Sequence, residues 1–245
     1  MQLNGRTILV TGGSSGIGRA LSRAYAQEGA QVWSVGRRPE ALAETAGRAH
    51  PGHIEPVVAD LTEPEGRSSV AAAVSGDVDA LDVAVHAAGL LGPPGVPLEL
   101  YPSSDWYEVL EANLSVIHFL HVEIAPLHHR ADRPTVIGVS SSVGRQARAG
   151  WGMYAISKYA LEGWLALLAD EWSDRGRVYS VNPGGTRTPM RAAAMPEEDP
   201  DTLPGPSDIT PIFLRLAHAA CEEPSGAQFE ARDWIGHDPW PQTPQ

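Results

Sequence analysis

The stretch TILVTGGSSGIGRAL, Thr7 to Leu21, passes from a β-branched apolar run into an amphipathic helical repeat through a turn carrying Gly12, Gly16 and Gly18. Glycine there permits tight geometry and close approach of a ligand to the backbone, and the helix that follows points unpaired N–H groups back at the turn. A pyrophosphate suits such a place. Glycine-rich turns also occur in loops that bind nothing. This one follows a strand, opens a helix and heads a series of βα units, the setting a dinucleotide site requires.

Beyond this turn, short β-branched runs alternate with longer amphipathic stretches. Strands are expected over 6–10, 30–36, 54–59, 81–87, 134–140 and 177–182, with a seventh near AQFEA (227–231). Helices are expected over 16–28, 63–75, 104–128, 152–174 and 207–221, the first ended by Gly29. The strands are apolar nearly throughout, as strands covered on both faces are. The pattern predicts an α/β fold with a parallel sheet of about seven strands flanked by helices on both faces. No repeat or linker divides residues 1–245, so a single domain is expected. Two segments break the alternation. Residues 183–206 hold six prolines and should form a long loop, a lid, with at most a short helical turn. The proline-rich tail HDPWPQTPQ (237–245) is either disordered or docked through Trp240.

The formal net charge of −12, from 18 basic and 30 acidic residues, would repel a phosphate backbone, so nucleic acid is not an expected partner. No apolar run approaches the roughly 20 residues a membrane span needs, no signal-like segment opens the chain, and Cys221 is the only cysteine; the reading is soluble and cytoplasmic. Metal is not expected, since no cysteine or carboxylate stands at ligand spacing from His128 and His129, which read as answering a helix dipole.

Of the 18 basic residues 17 are arginine, and the one lysine falls in YAISK, Tyr154 to Lys158. On a helix these two residues are a turn apart, which places the ammonium near the phenol. A free phenol loses its proton near pH ~10, and a neighbouring positive charge favours the phenolate. Lysine, a compact charge on a flexible stem, suits that task; the wide guanidinium fork does not.

The spacing Thr-Gly-x-x-x-Gly-x-Gly, Asp60-Leu61 after the third strand, Ala88-Gly89 after the fourth, Asn113, Ser141, Tyr154 with Lys158, and NPGGTRT (182–188) together resemble the short-chain dehydrogenase/reductase family. The resemblance runs from Gly5 to about Phe229, and SSSVGRQAR (140–148) and NPGGTRTPMRA (182–192) are especially similar to its bacterial YciK-like oxidoreductases. It implies a Rossmann-type, doubly wound sheet and an enzyme that interconverts a carbonyl and a secondary alcohol by hydride transfer with a nicotinamide dinucleotide. It makes Tyr154 the general acid or base, Lys158 the group that tunes it and holds the nicotinamide ribose, and Asn113 the contact of a water that relays protons to the lysine. Ser141 would hydrogen-bond the substrate oxygen. It is chosen over Ser140 and Ser142 because it stands three before Gly144 in the family's Ser-x-x-Gly, and because strand alternation turns both neighbours elsewhere.

The implied cofactor contacts begin with Gly12, Ser14, Ser15, Gly16, Ile17 and Gly18 in the first turn. Asp60 and Leu61, then Ala87, Ala88 and Gly89, then Pro183, Gly184, Thr186 and Thr188 complete them, with Tyr154 and Lys158. Ala87 occupies the position of the family's usual asparagine, which puts the rigidity of that loop in question.

In dinucleotide folds an acidic residue at the end of the second strand accepts the ribose 2′-hydroxyl of NAD; VGRRPE has Gly36 there, followed by Arg37 and Arg38. A guanidinium at that place grips a 2′-phosphate, so NADP(H) is the expected cofactor and NAD(H) the alternative, with Arg37 as main contact and Arg38 as second. The substrate pocket is expected to be lined by Leu91, Val143, Trp151, Met190 and Met195, with Arg145 and Arg148 near its mouth and an apolar, even anionic, carbonyl compound inside. A homodimer or homotetramer is expected through the helices bearing Asn113 and Tyr154, with Trp164, Leu168 and Trp172 as exposed apolar surface. The competing function is a nicotinamide sensor without turnover, whose mark would be a missing catalytic residue; Asn113, Ser141, Tyr154 and Lys158 are all present.

Overall fold

The computed structural model describes residues 1–47 and 50–241. Its strands are β1 (Thr7–Thr11), β2 (Gln31–Gly36), β3 (His53–Val58), β4 (Val83–His86), β5 (Thr135–Val139), β6 (Arg177–Asn182) and β7 (Gln228–Glu230). They form one parallel sheet in the order β3-β2-β1-β4-β5-β6-β7. Because the order reverses between β1 and β4, the loops leaving the C-terminal ends of these neighbours part and open a crevice.

Alternation along the strands sorts the core. Ile8 and Val10 meet Leu21 and Tyr25 of α1 (Gly16–Gln27) and Ile212 and Phe213 of α8 (Pro211–Ala217). Leu9, Trp33 and Val35 turn to the other face, onto Val70 and Val74 of α3 (Pro64–Asp77) and Leu120 and Ile124 of α5 (Val116–His128). Val136 and Val178 are covered by Leu161, Leu165 and Leu168 of α6 (Gly152–Glu171). With both faces covered, successive strand positions are apolar alike. At the sheet edge, β3 tolerates Pro56, whose missing N–H costs no ladder bond on the open side.

All the expected strands form, with bounds within two residues of the expected ones. The helices differ more. The sequence reading lacks α2 (Pro39–Ala46), although Pro39 at its first position and Glu40 in its first turn mark it. The helix expected over 104–128 is α4 (Ser103–Leu110) and α5, joined by a π turn over Glu111–Ser115 in which the Val116 N–H reaches the Glu111 carbonyl. Pro211 starts α8, which is therefore shorter than 207–221. Within 183–206 a short α7 (Pro189–Ala194) forms, its first turn capped by Thr188, whose hydroxyl accepts from the Arg191 amide at 3.1 Å. Trp240 docks against His218, ring centroids 5.8 Å apart; the end of the tail, 242–245, lies outside the described residues.

Two surface expectations are corrected. His128 faces inward, its Nδ1 2.9 Å from the Leu81 carbonyl, and burial, reinforced by His121, pulls it down to about 3, so it is neutral and cannot answer the helix dipole. Leu168 and Trp172 are inside, 7% and 2% exposed, and Trp164 packs edge-on against His121. The apolar side chains that α5 and α6 leave exposed are instead Phe119, Val122, Tyr159 and Leu167. No helix among the described residues is long and apolar enough to cross a membrane.

Candidate active site and cofactor crevice

The crevice holds two adjoining cavities, of 220 and 280 Å³, that share Gly12, Ser15, Ala88 and Gly89. Contact dictates the glycines of the first turn. A Cβ on Gly18 would lie 2.4 Å from the Gly12 carbonyl oxygen, and one on Gly12 2.9 Å from the Ala88 amide nitrogen. The turn, the head of α1 and the loop after β4 are thus packed backbone against backbone. Thr11, the last residue of β1, holds that loop: its Oγ1 accepts from the Ala87 and Ala88 amides at 3.1 Å each. The loop is pinned from β1 without the asparagine that Ala87 replaces.

The 220 Å³ cavity brings Ser141, Tyr154 and Lys158 together with Gly16, Ile17 and Gly18 and with Pro183, Gly184, Thr186 and Thr188. Tyr154 and Lys158 project from one face of α6, and Ser141 from the turn after β5, its hydroxyl accepting from the Val143 amide at 3.4 Å. Ser140 also lines the cavity, its hydroxyl buried without a partner among the described residues, while Ser142 is turned outward. Lys158, 4% exposed, donates to the Val139 carbonyl at 2.8 Å, and its Nζ stands 5.7 Å from the centre of the Tyr154 ring.

The electrostatics depart from the expectation that lysine lowers the phenol. Burial pushes Tyr154 up to about 12, opposed only by the neighbouring Ser141 hydroxyl, and burial pulls Lys158 down to about 8, opposed by Glu162. Desolvation is the larger effect on both groups.

Asn113 is wholly buried in the π turn and acts as a staple. Its Oδ1 accepts from the Leu90 amide at 2.7 Å, and its Nδ2 donates to the Leu90 carbonyl and to Ser157 Oγ, each at 2.9 Å. The loop after β4 is thereby tied to α6 at the residue preceding Lys158. No sequence signal announced the π turn that presents this side chain.

Leu91, Trp151 and Met190 wall the cavity beside the reactive groups, the Trp151 ring centroid 5.8 Å from that of Tyr154. Val143 is not a wall: it is 1% exposed and packs behind Tyr154 and Ala155. Met195 and Arg148 are exposed away from the cavity, and Arg145 turns into ion pairs with Glu162 and Glu230 at 2.9 and 2.7 Å. The sequence reading missed Arg191, three residues after Thr188, which lines the cavity with its guanidinium held by Glu198 at 2.5 and 2.7 Å.

At the other end, Ser14, Gly36, Arg37, Arg38, Asp60 and Leu61 line the 280 Å³ cavity. A Cβ on Gly36 would come 2.2 Å from Ser14 Oγ, so the usual acid fits there only if Ser14 moves. The Ser14 hydroxyl is buried and has no hydrogen-bond partner among the described residues, a costly state that a phosphate oxygen would relieve. Arg38 donates to the Ser14 carbonyl at 3.2 Å, whereas Arg37 is 71% exposed and only loosely placed against Asp60, at 3.8 Å. An orphaned hydroxyl, a backbone cradle that no Cβ could share and a loosely held guanidinium fit a dinucleotide bearing a 2′-phosphate.

The family model of short chain dehydrogenases matches residues 6–199. This chain belongs to the short-chain dehydrogenase family. The dehydrogenase is 40% identical over 237 residues to the oxidoreductase YciK of Escherichia coli K12, which covers 94% of this chain and 93% of that protein. It is 31% identical over 229 residues to the 3-oxoacyl-(acyl-carrier-protein) reductase FabG of Thermotoga maritima, covering 89% and 92% of the two chains. A solved short-chain dehydrogenase from Escherichia coli CFT073, complexed with NADPH, superposes with a TM-score of 0.87 at 40% identity and covers 94% of this chain and 98% of its own. This short-chain dehydrogenase is therefore an NAD(P)-dependent oxidoreductase acting on the CH–OH/C=O pair, and the likeness to YciK read from residues 140–148 and 182–192 extends over most of its length.

Proposed function

We propose that this short-chain dehydrogenase prefers NADP(H) and interconverts a carbonyl and a secondary alcohol with Tyr154 as the proton donor and acceptor. The observation that carries the reading is that one crevice has two specialised ends. A buried phenol lies with Ser141 and Lys158 at one end, and Arg37, Arg38 and the orphaned Ser14 hydroxyl lie at the other. The NADPH complex of a relative 40% identical supports the same cofactor here.

A nicotinamide dinucleotide held by the glycine turn, Lys158 and Arg37 would supply the hydride. Ser141 donates a hydrogen bond to the substrate oxygen, and Tyr154 Oη passes it the proton. A phenol pushed up to about 12 by burial is protonated at neutral pH, which suits reduction. The Lys158 ammonium favours the phenolate left behind. Leu91, Trp151 and Met190 exclude water and receive an apolar substrate body, while Arg191, already paired with Glu198, leaves that wall without a free cation. Residues 1–245 act as one domain in this reading, with 183–206 and its α7 as the lid. The faces of α5 and α6 that expose Phe119, Val122, Tyr159 and Leu167 would join copies into a dimer or tetramer.

The test is to titrate NADPH and NADH by fluorescence and then follow nicotinamide absorbance across a panel of apolar ketones and secondary alcohols. NADPH should bind more tightly and some members of the panel should turn over. Tight binding with no turnover of any ketone or alcohol would favour the sensor instead.

A further inference from the structure

The wall of the catalytic cavity carries a charge that is answered on the spot. Arg191 stands on α7 beside Met190 and lines the cavity with it, its guanidinium laid against Gly185, 3.5 Å from where a Cβ would stand. Glu198 meets it fork to fork: Oε2 accepts from Nε at 2.5 Å and Oε1 from Nη2 at 2.7 Å. Two parallel bonds of this kind are the strongest and most directional that a guanidinium makes with a carboxylate. The pairing raises Arg191 and holds the Glu198 carboxyl below its ordinary value, so both are charged at neutral pH. Local folding brings the two together. The Met195 amide donates to the Arg191 carbonyl at 2.9 Å and the Glu198 amide to the Met195 carbonyl at 3.1 Å, turning the segment back so that the acid returns to the arginine seven residues before it. Arg191 lines the cavity and Glu198 does not. The other cation on the cavity, Lys158, is bonded to the Val139 carbonyl, and the other positive group acting on Glu198 is Arg232, which lies over Gly184. A carboxylate on a bound substrate could reach Arg191 only by breaking both bonds and leaving Glu198 unpaired beside it. A neutral substrate breaks nothing.

We propose that Glu198 is a specificity-determining residue: by occupying the Arg191 guanidinium it turns the substrate pocket against carbonyl compounds that carry a carboxylate and selects neutral, apolar ones. Its effect on substrate choice rests on the reductase reading above. Discrimination of this kind acts against the wrong ligand rather than for the right one. Apolar walls disfavour a carboxylate on their own, so the decisive comparison is between variants with the cation held, released and removed.

The probes are benzoylformate and its methyl ester, which share a phenyl ketone and differ in charge. For both, kcat/KM is measured with NADPH, and binding to the protein without cofactor is followed by ligand-observed NMR. Wild type should favour the ester. In Glu198→Gln, which keeps the shape and releases Arg191, the acid-to-ester ratio should rise by about tenfold or more. Removing the cation as well, in Arg191→Gln/Glu198→Gln, should abolish that rise although Arg232 remains. A wild type that favours the acid overturns the proposal, as does a Glu198→Gln ratio within about twofold of wild type or an equal rise in the double variant. Tighter NADPH binding by Glu198→Gln with an unchanged ratio overturns it too, and gives the pair to the cofactor instead. Should Glu198→Gln not fold, Arg191→Gln decides: Glu198 left unpaired should disfavour the acid further, and a ratio that stays or rises overturns the proposal. Failure of the reductase reading would look different. Neither probe would then be reduced by any variant, and the binding ratios still decide: no gain in acid binding by Glu198→Gln overturns the proposal.

Discussion

Lys158 and Arg37 stand at opposite ends of one crevice, the first 4% exposed and the second with 71% of its side chain in water. Around Lys158 the ammonium is committed to Val139 and Asn113 to Leu90 and Ser157, with the Ser140 hydroxyl left without a partner among the described residues. Around Arg37 the only carboxylate in reach among the described residues, that of Asp60, is a loose 3.8 Å away. The same unit of charge acts strongly in the first setting and weakly in the second, because screening by water differs. In the function proposed above, chemistry sits where burial magnifies a charge, and cofactor choice where a solvated charge suffices.

The widest separation between the two ends should appear on acidification. His86, His121 and His128 are buried, His121 and His128 against Trp172 and His86 edge-on to Trp164, and His86 directly precedes the Ala87–Gly89 loop. Burial, aided by neighbouring positive groups, pulls them down to about 3, 4 and 3. Their folded values lie below the ordinary 6.5, so as pH falls the unfolded chain takes up protons first. The stability they contribute is complete above that value and is lost on the way down towards about 4 for His121 and about 3 for His86 and His128, at roughly 1.4 kcal/mol per pH unit for each ring. Denaturant midpoints at about pH 7 and about pH 5 measure this, and equal midpoints would mean that the rings are not held neutral in the fold.

Tyr154→Phe comes next. Turnover should fall by about 10²-fold or more with NADPH affinity within about twofold of wild type, and a mutant with wild-type kcat would remove the buried end's special status. Lys158→Arg should follow with a loss of about tenfold or more in turnover and weaker NADPH binding, because the guanidinium fork has to enter a slot closed by the Gly144 turn. Steady-state kinetics and cofactor titration check both. At the exposed end, Arg37→Ala should weaken NADPH by about tenfold and leave NADH nearly unchanged, a difference that shrinks in high salt. Equal losses for the two cofactors would move the 2′-phosphate site away from Arg37. Arg38→Ala, already tied to the Ser14 carbonyl, should have the smaller effect of the two.

The features legible in the sequence share a property: each is fixed within a turn or a strand. The glycine turn needs only β1 and α1, the Tyr154–Lys158 spacing needs only one helix, and the missing acid at Gly36 is read directly. The helix after Arg38 could also have been read, from Pro39 and Glu40, since capping is local. The π turn at Glu111–Ser115 could not. It shifts the helical register by one residue, and no periodicity short of the packed structure distinguishes that from a continuous helix. Leu168 and Trp172 look like surplus apolar residues in a helix considered alone; they are core because β5 and β6 present Val136 and Val178 to them.

By itself the sequence determined the βα order, the cofactor turn, the one position where lysine replaces arginine and the absence of an acid behind the second strand. Tertiary structure decided what each charge does. Arg37, Arg145, Arg177 and Arg191 are the same residue type. One is solvated beside the crevice, one is bound to Glu162 and Glu230, one is buried against Thr135 and the Cys221 carbonyl, and one is clamped by Glu198. The reason is physical: a charge takes its role from burial and partners, and the partners of Arg145 lie 17 and 85 residues away along the chain, brought to it only when β5, α6 and β7 assemble.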